Sequence, residues 1–400
     1  MDNYEFKRYL RWLVGTIIAV VSACGILNLF MDPLGIFGSP RISGLNEVKP
    51  YLDHHRELAR WKGALRLCGE VGIFGNSRAE IGFDPEHNAF DSAGLRAFNH
   101  AIPGSTLSMA VQQLEWLNQS NCTPKSVIIG VDFIGFVGSP SVRNSHLKTS
   151  SPPKIGLRDL VETVFSISAV NDSFKTLYSQ YVEYPTTITS RGFNPLLNYS
   201  REARVSGYSN LFRQSAESIV YKWIQKPASS RRIFLDSEEF FWLERFLIAT
   251  KEGSALTHIV LYPYHIQLRH IMEHFELEEE FHSWKSMLSS VTEKYPNVKV
   301  WDFSGLGHET TEPIPPPGDI SAEVAFYWEA AHFKSKLGDL MISQIIGGES
   351  GFGFPLTKHS ISSTRAHDKA RLQEESPTNA ALKKEVSDLY ERVQKLQRVP

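Results

Sequence analysis

Residues 127–133 read VIIGVDF and residues 258–262 read HIVLY, two largely apolar runs with the length of a β-strand. An apolar run without polar alternation is typical of a strand that is covered on both faces, as in a parallel sheet. Shorter runs of the same kind occupy residues 71–74, 97–102 and 298–303. These five runs predict the strands of one sheet.

Helical patterns alternate with the predicted strands. They cover residues 107–117 after the second strand, 266–290 after the fourth and 334–346 after the fifth. Such alternation implies a parallel sheet with right-handed crossovers. We therefore predict an α/β domain over residues 68–347, preceded by a linker and a leading helix at 31–67.

A long insertion, residues 137–235, separates the third and fourth predicted strands. Its pattern predicts helices at 157–182 and near 209–225. An insertion at the carboxyl edge of a parallel sheet is well placed to shape a substrate groove. A helical cap with only a packing role fits the same pattern.

The composition excludes several classes of protein. The chain has 400 residues, 42 of them basic and 44 acidic, for a formal net charge of −2. This balance gives no bulk attraction to polyanions and argues against a nucleic-acid partner. The three cysteines, Cys24, Cys68 and Cys122, do not have the spacing of a metal site. We predict neither a metal nor a cofactor.

Residues 12–30 form a charge-free apolar run, WLVGTIIAVVSACGILNLF. As a helix this run spans roughly 27–30 Å, which is the thickness of a bilayer core. The basic residues Lys7, Arg8 and Arg11 precede it, so the positive-inside rule places residues 1–11 in the cytoplasm. We predict a single-pass membrane protein whose body is extracytoplasmic, in the periplasm or on the cell surface.

Two other interpretations of this run stay open. Residues 21–24, VSAC, resemble a lipoprotein cleavage box, although the apolar run continues after Cys24. A buried core helix is the second alternative. If the body is extracytoplasmic, Cys68 and Cys122 face an oxidising environment, but the sequence does not decide whether they pair.

The composition changes again in the tail, residues 348–400. Residues 349–378 are rich in Ser, Thr, Gly and charge, which predicts disorder. Residues 381–397 then repeat apolar side chains by four and three, the spacing of a heptad seam. This short helix is either a weak self-association element or an amphipathic tail. The seam consists of Leu382, Val386, Leu389, Val393 and Leu396.

Two short motifs carry the chemistry. Residues 74–80 read FGNSRAE, which places Ser77 directly after the first strand, at the edge where parallel sheets bind ligands. Residues 327–334 read YWEAAHFK, with Glu329 three residues before His332 in a loop or first helical turn. A carboxylate at that offset can orient the imidazole while the other ring nitrogen faces a serine. Ser77 is otherwise an ordinary helix N-cap, and Asp302 is the reserve for the triad acid.

These motifs resemble the SGNH (GDSL-type) hydrolase superfamily over about residues 68–347. The resemblance implies a three-layer, flavodoxin-like fold with about five parallel strands. It also implies that Ser77 is the nucleophile, His332 the general base and Glu329 the acid of the triad. The oxyanion hole would be formed by the backbone N–H groups of Ser77 and Gly104.

The motifs depart from the superfamily pattern at three positions. Asp132 stands where the superfamily has an asparagine whose amide is a second oxyanion donor, and a carboxylate donates only when protonated. Asn76 replaces the usual aspartate before the serine, and Glu329 replaces the usual aspartate before the histidine. The role of Asp132 is therefore open.

The anchored layout is similar to membrane-bound teichoic-acid D-alanyl-transfer and exopolysaccharide O-acetylation proteins. This similarity implies an O-acyltransferase or esterase that acts on a polysaccharide, beside a membrane-bound O-acyltransferase. Arg78, His100 and His265 sit next to predicted strand ends and are candidates for substrate contact. The alternative is a non-catalytic glycan-binding or assembly scaffold with the same fold.

Overall fold

A six-stranded, mostly parallel sheet forms the centre of the body. The computed structural model describes residues 3–142, 151, 152, 154 and 156–397. The sheet order is β2-β1-β3-β4-β5-β8, and a separate hairpin pairs β6 with β7. The strands are β1 (Val71–Phe74), β2 (Ala97–Asn99), β3 (Ser126–Val131), β4 (Leu256–Leu261), β5 (Val298–Asp302), β6 (Tyr327–Glu329), β7 (His332–Phe333) and β8 (Phe354–Pro355).

The five predicted strands are the five parallel strands of this sheet. β3 lies between β1 and β4, and residues 127–131 are buried on both faces by helices. The predicted α/β class is thus confirmed. β8 was not predicted; it is a two-residue strand that runs antiparallel to β5.

Helices cover both faces of the sheet and fill the insertion. They are α1 (Asn3–Met31), α2 (Arg56–Leu67), α3 (Ser77–Gly82), α4 (Asn88–Ser92), α5 (Leu107–Gln119), α6 (Phe133–Phe136), α7 (Leu157–Phe165), α8 (Ile167–Ser179), α9 (Leu197–Ser206), α10 (Tyr208–Ile224), α11 (Glu238–Glu252), α12 (Ile266–His274), α13 (Glu278–Thr292), α14 (Ser335–Ile345), α15 (Lys358–Gln373) and α16 (Pro377–Gln397).

Helix α1 is long and apolar enough, over Tyr4–Met31, to cross a membrane. Most of its side chains are exposed, but its last turns pack against α7 and α8 of the insertion. The amide of Asn28 donates to the carbonyl of Val164 at 2.8 Å, and Ser173 donates to the Asn28 side chain at 2.8 Å. These buried polar contacts fix the end of α1 to the body.

The insertion and the segment after it differ from the predicted helices in several respects, among them the unpredicted α9. The helix predicted over 157–182 is broken at Ser166, whose hydroxyl accepts from the backbone N–H of Ala169 at 3.0 Å and caps α8. α11 follows the insertion and packs on α5, although no helix was predicted there. The helix near 209–225 is present as α10. Part of the insertion, residues 143–150, 153 and 155, lies outside the described residues.

The prediction of disorder over 349–378 is wrong for most of that segment, because it contains β8 and α15. The polar composition suggested exposure to solvent, but some of the polar side chains are buried in contacts with the body. Asp368 of α15 is fully buried and pairs with the buried Arg269 at 3.0 Å. The heptad seam of α16 is also covered by other helices of the same chain. Its first four side chains are at most 6% exposed, and α16 packs against α10 and α12 of the same chain. The seam therefore does not offer the surface predicted for self-association.

The pairing of the cysteines, which the sequence left open, is given by the structure. Cys68 and Cys122 form a disulfide with their Cα atoms 5.0 Å apart, across 54 residues of chain. The bond ties the end of α2 to the segment between α5 and β3. Cys24 in α1 is free.

Candidate active site

Ser77 is the first residue of α3, directly after β1. The preceding Asn76 caps this helix, since its side-chain oxygen accepts from the N–H of Arg78 at 3.1 Å. The N-cap of α3 is therefore Asn76, and not Ser77 as the alternative interpretation held. Its hydroxyl is left to bond the His332 Nε2 atom, at 2.8 Å.

Glu329 and His332 face each other across the β6–β7 hairpin, and not in the first helical turn that was one of the two predicted settings. The Glu329 carboxylate bonds the Nδ1 atom of His332. An ionised carboxylate can only accept, so Nδ1 carries the proton and Nε2 is the acceptor for the Ser77 hydroxyl. Ser77, His332 and Glu329 therefore form one continuous hydrogen-bonded chain.

The hairpin turn, Ala330 and Ala331, is held by two long-range contacts. The N–H of His265 donates to the carbonyl of Ala330 at 3.2 Å. The Arg78 Nε donates to the carbonyl of Ala331 at 2.6 Å. The predicted substrate residue Arg78 thus positions the turn between the acid and the base of the triad.

Close packing also brings the hairpin to the nucleophile. Phe333, next to His332, is fully buried against Gly82 of α3. A Cβ atom at Gly82 would overlap the Phe333 ring, so only glycine permits this approach. Because α3 also carries Ser77, the contact sets the distance between Ser77 and His332.

The environment of Glu329 keeps its carboxylate ionised. Burial by itself raises the pKa of Glu329, but the charge and hydrogen bond of His332, together with bonds from Ser215 and the N–H of Ala331, lower it to about 2. Ser215 donates its hydroxyl to the second carboxylate oxygen, and the Ala331 N–H donates to the same oxygen at 2.9 Å. Glu329 is therefore held as a carboxylate, the form that can stabilise an imidazolium at His332.

A cavity of about 630 Å³ opens above Ser77 and His332. This volume lies within the range of ligand sites in proteins. One wall consists of Gly104, Ser105 and Thr106, which follow β2. Gly104 has a φ of +72° and open space around it, and lies in the wall of this cavity as the prediction requires.

Asp132 lies at the floor of the cavity, where it accepts four hydrogen bonds. One carboxylate oxygen accepts from Asn76 at 3.0 Å and from the Arg78 guanidinium, while the other accepts from Tyr264 at 2.5 Å and from the N–H of Ile134 at 3.2 Å. The Asp132 charge also raises the pKa of Arg78, against the lowering effect of burial. Asp132 thus ties the Ser77 loop to β4 and offers no donor.

Two of the three predicted substrate residues, His100 and His265, do not line the cavity. His100 is buried and stacks on Phe74 at 4.6 Å between centroids, and burial lowers its pKa to about 3. His265 is fully buried and caps α12 by accepting from the N–H of Gln267 at 3.2 Å. His100 and His265 are therefore packing and capping residues and do not contact substrate in this cavity.

The reserve acid, Asp302, is also excluded from the site. It is fully buried, and its carboxylate lies 2.9 Å from the Lys285 ammonium and accepts from the Ser304 hydroxyl at 2.6 Å. Asp302 therefore anchors α13 to β5. Glu329 is the acid that contacts the histidine.

The sequence missed the residues that the insertion contributes. Ser215, Ser218 and Lys222 line the cavity from one face of α10, and Tyr199 lines it from α9. The spacing of three and four in the predicted helix 209–225 was the available signal. From α11, Glu239 also reaches the cavity, and burial raises its pKa to about 7. The insertion thus shapes the groove, as one of the two interpretations required.

Comparison with known protein families and with curated proteins finds no match to this chain. Within the part of the chain that the structure describes, no group of three His, Cys, Asp or Glu side chains is placed to hold a metal ion. A serine hydrogen-bonded to a carboxylate-oriented histidine is the arrangement of a nucleophile with its general base.

Proposed function

We propose that this chain is a membrane-anchored, extracytoplasmic serine acyl-ester enzyme of SGNH type. One observation carries the proposal: the 2.8 Å contact between the Ser77 hydroxyl and a histidine whose other nitrogen is bound to a buried carboxylate. The strand order 2-1-3-4-5 of the parallel strands, which is that of flavodoxin-like sheets, supports the fold assignment.

In the proposed mechanism Ser77 attacks the carbonyl carbon of an acyl ester. His332 takes the hydroxyl proton at Nε2 and returns it to the leaving alcohol, while Glu329 stabilises the imidazolium. The N–H groups of Ser77 and Gly104 hold the oxyanion, and loss of one such donor costs about 3 kcal/mol. Water or a sugar hydroxyl then accepts the acyl group from Ser77.

The proposed substrate is an acetylated or acetyl-accepting polysaccharide outside the cytoplasm. The cavity wall formed by Tyr199, Gln214, Ser218 and Lys222 offers an aromatic face and several hydrogen-bonding groups, which suit a sugar with many hydroxyls. The disulfide between Cys68 and Cys122 supports the extracytoplasmic side of the membrane, where disulfides persist. A membrane-bound O-acyltransferase is the proposed acyl donor partner when the enzyme works in transfer.

The test compares the full-length chain in detergent with its Ser77→Ala and His332→Ala variants on p-nitrophenyl acetate. Ser206→Ala, on α9 and outside the cavity, is the matched control. We expect turnover to fall by about 10³-fold or more in both site variants and to be unchanged in the control. A Ser77→Ala variant as active as the wild type contradicts the hydrolase mechanism.

Transfer is tested in cells that produce the polysaccharide. The acetyl content of the exported polymer is measured by NMR after complementation with the wild type or Ser77→Ala. Lower acetylation with the variant supports transfer, and higher acetylation supports an esterase. Equal acetylation in both favours the non-catalytic scaffold.

A further inference from the structure

A second cavity, of about 380 Å³, lies where the end of α1 meets the body. Its walls come from residues 32–67, which follow α1, from Phe98 and from residues 188–192 of the insertion. It shares no lining residue with the cavity above Ser77. Asp32 is the one acidic residue among its described lining residues. The basic ones are Arg41, Lys49, Arg56, Arg60, Arg66 and Arg191.

Two of these cations are neutralised by acids outside the cavity. Arg60 forms a buried ion pair with Glu80. Arg191 lies 3.4 Å from the Glu86 carboxylate. Their charges therefore do not need a ligand.

Three other cations, Arg41, Lys49 and Arg66, share one carboxylate among the described lining residues, that of Asp32, although Glu47 and Glu86 outside the cavity also act on Arg41. Arg41 donates to the carbonyl of Ile188 at 2.8 Å, Arg66 to that of Gly35 at 3.1 Å, and Lys49 to that of Asp32 at 2.7 Å. The Asp32 carboxylate is 4.0 Å from Lys49 and already accepts from four backbone N–H groups of residues 36–39. Among the described residues that line the cavity, the three cations Arg41, Lys49 and Arg66 therefore outnumber the one carboxylate.

The excess charge has an electrostatic consequence. Burial lowers the pKa of Lys49 to about 8, and the nearby Arg41 and Arg66 add to the effect against the opposing charge of Asp32. Burial and the charge of Arg66 likewise lower the pKa of Arg41, against the opposing charges of Asp32, Glu47 and Glu86. An anion in the cavity would relieve this repulsion and stabilise all three cations.

The cavity also lies next to the C-terminal end of the apolar run of α1. The charge-free run of α1 ends at Phe30, and Asp32 stands two residues further on. A bilayer crossed by that run therefore has its headgroup layer beside Asp32. Basic pockets at this level are suited to lipid headgroups.

We propose that this cavity binds a phosphate group, held by Arg41, Lys49 and Arg66. Guanidinium groups match the oxygens of a phosphate in paired hydrogen bonds, and a lysine adds a point charge. The phosphate belongs to an anionic phospholipid or is a free ion, since both present the same group. The site is independent of the ester chemistry at Ser77.

The experiment uses the full chain in a neutral detergent and native mass spectrometry. The probes are dimyristoylphosphatidylglycerol, dimyristoylphosphatidylcholine and inorganic phosphate. We expect phosphatidylglycerol to bind more tightly than phosphatidylcholine, and the double variant Arg41→Gln/Arg66→Gln to weaken it by about tenfold. The control is Arg96→Gln/Arg245→Gln, which removes two half-exposed arginines of the body and leaves binding unchanged.

The outcomes separate the two sources. Phosphatidylglycerol binding that inorganic phosphate does not displace assigns the site to a lipid, whereas displacement at equal affinity assigns it to the free ion. Equal binding of every probe by the wild type and the double variant overturns the proposal. If the double variant does not fold, the measurement is repeated with the single variant Arg66→Gln. The hydrogen bonds that this variant loses run to loop carbonyls. Binding is measured without substrate, so an inactive Ser77 does not affect it.

Discussion

Replacing Asp132 with asparagine tests whether this residue is a structural acceptor or an oxyanion donor. The four donors divide evenly between its two oxygens. An asparagine therefore turns its NH2 group toward two donors in either orientation. The less costly orientation places the NH2 group toward Tyr264, because the tyrosine hydroxyl can turn and accept a hydrogen bond. In this orientation the N–H of Ile134 loses its acceptor.

The expected loss of stability follows from these contacts. The unpaired N–H of Ile134 costs about 1.5 kcal/mol, and the change from a charged to a neutral acceptor for Arg78 costs about as much again. The Asp132 side chain is only 14% exposed and that of Arg78 7%, so water replaces little of this energy. We expect Asp132→Asn to lower the free energy of unfolding by about 3 kcal/mol, or Tm by about 4–5 °C.

The assay is thermal unfolding of the full chain in detergent, together with hydrolysis of p-nitrophenyl acetate. Because Asp132 holds Asn76 and Arg78 on either side of the nucleophile, we expect the rate to fall with the stability. Asp91→Asn, on the exposed side of α4, is the control and should change neither. An Asp132→Asn variant that is equally stable and faster would refute this reasoning, since it would show an asparagine acting as a donor.

Three further predictions concern other parts of the molecule. Ser215→Ala removes one hydrogen bond to the charged Glu329, worth about 1.5 kcal/mol, so kcat should fall about tenfold with KM unchanged; an unaltered kcat contradicts it. The pKa of Glu239 is raised from 4.5 to about 7, so the native state holds a proton that the unfolded state loses, and stability falls as pH rises through this window. In urea unfolding, Glu239→Gln should therefore gain up to about 3 kcal/mol over the wild type at pH 7.5 and little at pH 4.5, whereas parallel curves would rule this out. Replacing Cys68 and Cys122 by serine should cost about 4 kcal/mol. Thiol titration of the denatured wild type should find one thiol before reduction and three after, and three before reduction would exclude the disulfide.

The sequence predicted what depends on local pattern. The apolar runs around β3 and β4 can only be doubly covered strands, so the parallel sheet followed from them. The serine after β1 and the acid three residues before a histidine were singled out by their spacing and by the resemblance to the SGNH motifs. The structure brings the three side chains together, with the Ser77 hydroxyl 2.8 Å from His332 Nε2 and Glu329 bonded to Nδ1, and their catalytic roles stay a prediction.

What the sequence did not predict depends on contacts between distant residues. The sequence left a loop or a first helical turn open for Glu329 and His332. The structure has the β6–β7 hairpin, whose two turn carbonyls accept from Arg78 and His265, more than 60 residues away along the chain. The position of His100 at a strand end predicted a polar residue of the site. In the structure its ring stacks on a neighbouring phenylalanine in the core. One of the contacts that order the tail is the buried ion pair of Arg269 with Asp368, 99 residues apart along the chain. No local pattern encodes these partners.

The central claim is that Ser77 is a nucleophile activated by His332. The most direct measurement is labelling of the full chain with a fluorophosphonate probe, followed by peptide mapping of the adduct. We predict a single adduct on Ser77 in the wild type and in the Ser206→Ala control, and none in Ser77→Ala or His332→Ala. An unlabelled wild type, or an adduct that persists in Ser77→Ala, would contradict the account.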